Sequence, residues 1–422
     1  MRTQGSFFKK EECRICESTD IEKALELTPT PPGNNFLKAS ELEKDEESFP
    51  LELDFCHSCN HIQLSHVVEP AFLFQNNYSY VSATSSVFVN HLREYADHVT
   101  DMFNLNSQSF VIDIGSNDGT CLSFFKEKGM SVLGVDPATS LANKATEEGI
   151  RTLPEFFNKE VAINIVKEEG RANLITSHNA CAHIDDLSSV IEGVEALLDE
   201  NGIFIMEVGY FVDVFENKWF DTIYHEHVDF HTVAPLTRLF SRFDLEIFKV
   251  ERISPQGGSI RVMVQRKGGK HEIDKSLSNL INLEKELGLN NIKSLIGLEE
   301  EINVLRKKFL ALIRSLKSEG KTIAAFGAPT KATTLCYHFG IDKEDIDFIV
   351  DDNPLKQGLY SPGIHIPVYD ASHIYTKKPD YLIILAWNFA ESIMSKHQEY
   401  LELGGSFIIP MPETRGLKKE YD

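Results

Sequence analysis

The sequence predicts an α/β protein with a small cysteine-bearing domain at its N-terminus and two Rossmann-like domains after it. Three observations carry this reading. Two Cys-x-x-Cys pairs stand near the start of the chain. Strand-like and helix-like segments alternate between residues 110 and 266, and the alternation resumes at residue 321. The chain also has 422 residues, more than one hydrophobic core usually supports.

Residues 1–70 hold Cys13, Cys16, Cys56 and Cys59. Each pair sets two thiolates on one turn, and two such turns complete a tetrahedral site of four sulfurs. In a large chain such pairs point to metal more than to disulfides. Structural zinc is expected here, closed to substrate and devoted to folding. The 39 residues between the pairs, 17 to 55, must loop out, and "KASELEKDEESFP" reads as the exposed part of that excursion. His57 and His61 flank the second pair and are expected at the surface.

Residues 71–268 form the second unit. "VFVNHLREYADHVTDMF" spaces its apolar residues as a helix does. "FVIDIG" is a buried strand, "CLSFFKEKG" a helix ending at glycine, and "SVLGVDP" a second strand. "NLITSHN" and "GIFIMEVG" are further strands, with the helix "LSSVIEGVEALLDE" between them. "RLFSRFDLEIFKVERI" and "GSIRVMVQRK" supply a late helix and two late strands. This is a doubly wound sheet with an antiparallel tail. Residues 269–316, dense in Lys, Glu and Leu, read as one or two connecting helices with a charged, solvated face. Residues 317–422 return to the strand–helix rhythm as a second, smaller Rossmann-like domain.

The net charge of −22 opposes broad binding to nucleic acid or to an anionic membrane, while leaving room for a local anion pocket. No apolar run approaches the ~20 residues that span a bilayer. The N-terminal residues lack the apolar core of a signal peptide, so a cytoplasmic location is expected. Oligomeric state is not legible in the sequence, and a monomer is the working expectation.

The loop "VIDIGSNDGT" ends a buried strand in Asp113-x-Gly115-x-x-x-Gly119, where glycines let backbone pass close to a ligand. Asp136 closes the next strand, 21 positions after Gly115, where a carboxylate can accept from two ribose hydroxyls. The pattern is not Gly-x-Gly-x-x-Gly, so a nicotinamide cofactor is not the first choice. It resembles the S-adenosylmethionine site of class I methyltransferases. Asp113, Gly115, Asn117, Gly119, Asp136 and Asn179 are the expected cofactor-binding residues. Asn179 and His183 follow a later strand at the sheet edge that lines the ligand crevice.

The segment "DTIYHEHVDFHTV", Asp221 to Val233, packs three histidines, a glutamate and a tyrosine into thirteen residues. General acid–base chemistry, a metal site and a chance polar loop all fit such a composition. His227 and His231 have the i, i+4 spacing of a metal-binding helix, yet "HVDFH" lacks the glutamate of His-Glu-x-x-His.

Taken together, "DIGSNDGT", "GVDPA", "FDTIYHEH" and "VDDNPLKQGLYSPGIHIPV" resemble the sugar C-methyltransferases of deoxysugar-nucleotide biosynthesis, over nearly the whole chain. The resemblance implies an N-terminal zinc-binding domain, a central S-adenosylmethionine-dependent methyltransferase domain and a C-terminal Rossmann-like domain that helps hold a sugar nucleotide. It implies methylation of a carbon, usually C3, beside the ketone of a nucleotide-linked 4-keto sugar, by way of an enolate. His227 would be the base. Glu226 and Tyr224 would orient it or hold the sugar. Tyr78 matches a tyrosine of the family's Tyr-x-Tyr-x-Ser stretch, and His183 a substrate-side histidine. Either Tyr78 or Tyr224 would stabilise the enolate oxygen or handle a proton.

The family often continues "YHEH" with "LSYFS", whereas this chain has "VDFHT". Asp229 and His231 are therefore expected beside the site, where they would set substrate choice; methylation of nitrogen or oxygen is the alternative. In "FGAPTKATTL" a glycine after a strand opens a helix that can cradle phosphate, with Lys331 as an added cation. "VDDNPLKQGLYSPG" reads as a loop that closes over the site.

Overall fold

The computed structural model describes residues 7–74 and 81–417. In the N-terminal lobe, Ile21–Thr30, Phe49–Cys56 and Ile62–Leu64 form consecutive antiparallel strands. Leu51, Leu53 and Phe55 alternate along the middle strand and all point into the core. The fourth strand of this sheet, Asp229–Phe230, arrives from the central domain, with Asp229 opposite Gln63 and Phe230 opposite Ile62. A separate two-stranded ribbon pairs Phe7–Lys9 with His66–Val68.

That fourth strand corrects the expectation for His61. The residue is fully buried, and its Nε2–H donates to the Asp229 carboxylate at 2.7 Å. His57 is exposed as expected and lies 2.9 Å from Glu22.

The central sheet has seven strands, in the spatial order Leu245–Ile253, Ser259–Arg266, Leu198–Gly209, Ala172–His178, Phe110–Ile114, Ser131–Val135, Thr152–Leu153. The last five run parallel; the first two are antiparallel to their neighbours. Parallel strands are covered on both faces, which is why "FVIDI" and "IFIMEV" read as nearly unbroken apolar runs. Crossover helices begin at side-chain caps: Asn158 accepts from the Val161 amide ahead of Lys159–Glu169, and Asp186 from the Ser189 amide ahead of Leu187–Leu197.

Two helices, Lys275–Glu286 and Ile292–Ser318, occupy the charged stretch. The solvated reading holds for one face only. Leu295, Leu298, Ile302, Leu305, Phe309, Ile313 and Leu316 recur at steps of three and four and are buried. Glu284 is buried too. Its carboxylate accepts from the Val233 and Ala234 amides at 2.6 and 3.1 Å and from the Tyr210 hydroxyl at 2.9 Å. It thus caps the helix Val233–Ser241 from outside, where a negative charge suits the orphan amides.

The C-terminal sheet has the order Val368–Tyr369, Ile349–Val350, Ile323–Phe326, Tyr381–Ile384, Ser406–Ile409, Arg415–Leu417. Its first five strands are parallel and its last is antiparallel. A strap, residues 31–37, leaves the N-terminal sheet after Thr30 and reaches this domain, where Leu37 and Tyr360 exchange backbone bonds of 3.0 and 2.8 Å. Among the described residues, no helix is long and apolar enough to cross a membrane.

Candidate active site

The four paired cysteines converge. The Sγ atoms of Cys13, Cys16, Cys56 and Cys59 all lie within 4.8 Å of one another, with Cys13–Cys59 at 3.5 Å and Cys16–Cys56 at 3.6 Å. A zinc ion with Zn–S bonds of about 2.3 Å sets tetrahedral sulfurs about 3.8 Å apart, so the donor set fits. Four protein sulfurs leave no open coordination position. The cluster also sits apart from the cavity described next, none of whose walls it forms.

A cavity of about 1270 Å³ lies where the three lobes meet. Its first half is built on the carboxyl ends of the central strands. Gly115 follows Phe110–Ile114 with φ +75°, and a Cβ there would stand 2.4 Å from Cβ of Ala180, so the loop tolerates no side chain. Gly119 starts the helix Thr120–Glu127. The Asp136 oxygens accept from the Asn117 amide at 2.8 Å and the Ala138 amide at 2.9 Å. Each oxygen keeps a further lone pair, which suits the ribose of a nucleoside cofactor. Burial holds this carboxyl above its ordinary value. The Asn117 side chain accepts from the Ser82 amide at 3.0 Å, and Asn179 turns the chain at φ +56° after Ala172–His178. Asp113 is buried beneath the loop, 3.9 Å from Nδ1 of His178. Asp113, Gly115, Asn117, Asp136 and Asn179 all line the cavity; Gly119, expected with them, does not.

The second half holds the histidines. Nδ1–H of His227 donates to the Thr222 carbonyl at 2.9 Å. A carbonyl only accepts, so the proton of the neutral ring sits on Nδ1, and Nε2 accepts from the Tyr224 hydroxyl at 2.8 Å. Nδ1–H of His183 donates to the Glu226 carbonyl at 2.7 Å. The two imidazoles lie 4.9 Å apart at 60°. Burial pushes His227 down to about 3, helped by the neighbouring His183, and pushes His183 down to about 4. Both rings are neutral near pH 7. The Glu226 carboxyl, also buried, is pushed up to about 7.

The motif "YHEH" therefore divides. Tyr224, Glu226 and His227 face the cavity. His225 turns away, 3.3 Å from the Phe49 carbonyl in the N-terminal lobe. Tyr224, not Glu226, is bonded to His227; Oε1 of Glu226 accepts from Asn34 Nδ2 at 2.8 Å. Tyr78 lies outside the described residues. The segment "VDFHT" is corrected at His231 only, since Asp229 lines the cavity as expected. Asp229 commits Oδ1 to His61, and His231 is buried off the cavity with its ring 6.1 Å from that of His61. These residues bind the N-terminal lobe to the central domain.

The C-terminal domain closes the far wall. Nζ of Lys331 donates to Asn388 Oδ1 at 2.9 Å and stands 3.4 Å above the Trp387 ring. Trp387 stacks on Trp219 with centroids 4.5 Å apart, and its Nε1–H donates to Asp221 at 2.7 Å. Burial lowers Lys331 to about 8 and raises Asp221 to about 6; each partner's charge opposes the other's shift. Lys356, from "DDNPLKQG", also lines the wall and donates to the Ala328 carbonyl at 2.7 Å. Sequence reasoning missed Asn34, Trp219 and Lys356, because nothing local distinguishes them from loop residues.

Three family models match the chain: "Putative zinc binding domain" over residues 13–74, "Methyltransferase domain" over 88–250 and "C-methyltransferase C-terminal domain" over 254–412. The chain is 34% identical over 410 residues to C-methyltransferase NovU of Streptomyces niveus, covering 97% of each protein. The chain belongs to the C-methyltransferase family. Two solved structures align with part of the chain. An S-adenosylmethionine-dependent methyltransferase from Anabaena variabilis aligns at 17% identity and TM-score 0.35, over 44% of this chain and 86% of its own. Magnesium protoporphyrin IX methyltransferase from Synechocystis aligns at 12% and 0.33, over 46% and 87%. This protein is thus an S-adenosylmethionine-dependent C-methyltransferase with a four-cysteine zinc domain. Its acceptor atom is carbon, and the alternative of nitrogen or oxygen falls away.

Proposed function

We propose that this C-methyltransferase methylates the carbon beside the ketone, C3, of a nucleotide-linked 4-keto-deoxysugar. The observation that carries the reading is the Tyr224–His227 pair on the wall of the cofactor's cavity, with His183 beside it. A carbon next to a carbonyl is weakly acidic, and a positioned base removes its proton. His227 takes that proton at Nε2. The C–H electron pair becomes the enolate double bond, and the carbonyl π pair moves to oxygen. The Thr222 carbonyl, already accepting from Nδ1–H, steadies the imidazolium. The low proton affinity of the buried ring is offset as the enolate develops charge beside it. Once Nε2 carries a proton it no longer accepts from Tyr224, whose hydroxyl then donates to the enolate oxygen. S-adenosylmethionine, when bound on the Asp136 side of the cavity, would supply its sulfonium methyl group to the enolate carbon, the methyl–sulfur bond breaking with its electron pair left on the departing thioether. Glu226, Lys331 and Lys356 provide the polar wall for the sugar and its diphosphate, aided by the amino end of the helix Thr330–Phe339.

The test is a panel of nucleotide-linked 4-keto sugars carrying deuterium at C3, incubated with S-adenosylmethionine and read by mass spectrometry. The expected product gains one methyl group and loses the label. Methylation with the label retained would move the reaction to another carbon.

A further inference from the structure

A polar chain of three side chains crosses the cavity beside the histidines. Asn34 stands on the strap that leaves the N-terminal lobe. Its Nδ2–H donates to Oε1 of Glu226 at 2.8 Å, and its Oδ1 accepts from the Thr330 hydroxyl at 2.8 Å. The three residues come from the three lobes, and all three line the cavity.

The order of donors along this chain is fixed by chemistry. The Thr330 hydroxyl gives its proton to the amide oxygen, which turns the amide's N–H groups toward Glu226. That occupies Oε1, and Oε2 is left for the cavity. The strap has little room to shift. A Cβ on Gly33 would stand 2.4 Å from the Thr330 carbonyl oxygen, and Leu37 is tied to Tyr360 by two backbone bonds.

We propose that Asn34 is a positioning residue of the active site: held by Thr330, it fixes Glu226 by Oε1 so that Oε2 faces the sugar. The zinc-binding lobe thereby contributes directly to substrate recognition. The inference rests on the reading of Glu226 as a sugar-holding group.

The groups around Glu226 define what a test would read. The facing cation is Lys356, whose charge favours the carboxylate, while burial opposes it. His183 and His227 are neutral neighbours. A hydrogen bond from Asn34 favours the ionised form, so its loss must move the Glu226 titration upward.

The experiment uses the full, zinc-loaded chain with S-adenosylhomocysteine bound. Carbon-13-labelled glutamate and infrared difference spectra follow protonated carboxyl bands from about pH 5 to about pH 9, a range centred on the raised titration. Glu226→Gln identifies the Glu226 band by deleting it. Asn34→Ala is expected to raise the midpoint of that band by about one unit, the size of an ordinary hydrogen-bond contribution. Thr330→Val should raise it by less, and Thr330→Ser should return it to the wild-type position. A midpoint unchanged in both Asn34→Ala and Thr330→Val overturns the proposal. So does a wild-type spectrum with no carboxyl band that Glu226→Gln deletes. If Asn34→Ala does not fold, the Thr330 pair decides alone. None of these spectra depends on turnover, so the labelled-sugar assay can fail without touching them, and the reverse.

Discussion

The hydroxyl of Tyr224 lies 2.8 Å from Nε2 of His227, on the ring edge that faces the cavity rather than the edge bound to backbone. In the proposed mechanism, one side chain thus guards the lone pair that the other uses. The two should fail differently when removed.

Replacing His227 by Ala is expected to lower kcat for methyl transfer by about 10²–10⁴, the usual contribution of a general base, with S-adenosylmethionine affinity unchanged. Tyr224→Phe keeps the base but loses the donor for the enolate oxygen, and a smaller fall of about 10- to 100-fold follows. Single-turnover kinetics with calorimetric cofactor binding would separate these effects. Near-normal transfer by His227→Ala would remove it as the base.

The pH dependence should come from Glu226, not from the histidines. Both imidazoles are held below pH 6 by burial, so both rest neutral across the working range and neither titrates within it. Glu226 titrates near 7, and its ionised form accepts from the sugar. The quantity kcat/KM should rise through pH 7 in the wild type and lose that limb in Glu226→Gln. A limb that survives in the variant belongs to another group.

The same carboxyl bears on stability with a definite sign. Its folded value is raised, so the folded state binds more protons than the unfolded state between about pH 4.5 and about pH 7. Stability contributed at that group falls as pH rises across this window, by about 3 kcal/mol at most. Glu226→Gln should therefore raise Tm more at pH 8 than at pH 5. Equal shifts at both would show that burial does not raise the carboxyl.

Removing zinc should abolish methyl transfer although the metal lies outside the cavity. Losing the four-sulfur site unfolds the lobe that supplies Asn34 and pairs with Asp229–Phe230. Chelation followed by metal analysis, circular dichroism and an activity assay checks this. Full activity in metal-free protein would overturn it.

Glu284→Ala strands three buried or half-buried donors: the Val233 and Ala234 amides and the Tyr210 hydroxyl. A loss of about 3 kcal/mol is expected, since each unsatisfied donor costs about 1–3 kcal/mol and water recovers part of it. Urea denaturation would read this as a lower midpoint.

What was legible in the sequence was whatever has a local signature. The Cys-x-x-Cys pairs met in space because each pair is a turn, and the central strands announced themselves by apolar runs between glycines. Gly115 and Asp136 were readable because a ligand-approaching loop and the next strand tip are neighbours in any parallel sheet. His231 was misread because the ring it faces, that of His61, comes from a distant part of the chain; Asp229 lines the cavity as expected, but its bond to His61, 168 residues away, had no local sign. Glu284 was hidden for the same reason: its helix is charged on average, and only tertiary structure shows which glutamate turns inward. Asn34 carries no local mark at all, since its role depends on two other lobes arriving at one point.

The strand Asp229–Phe230 has one further consequence, for inheritance. The turn bearing Tyr224 and His227 is held on one side by Thr334 of the C-terminal domain, whose hydroxyl donates to the Ile223 carbonyl at 3.0 Å. On the other side it is stitched into the N-terminal sheet. A substitute N-terminal lobe would have to present an edge in the same register and a buried histidine to meet Asp229, and a substitute C-terminal domain a donor for the Ile223 carbonyl. The whole chain is the unit that must be passed on, and chimeras cut at the apparent domain borders should inherit the pocket walls but not the placement of the turn that bears Tyr224 and His227.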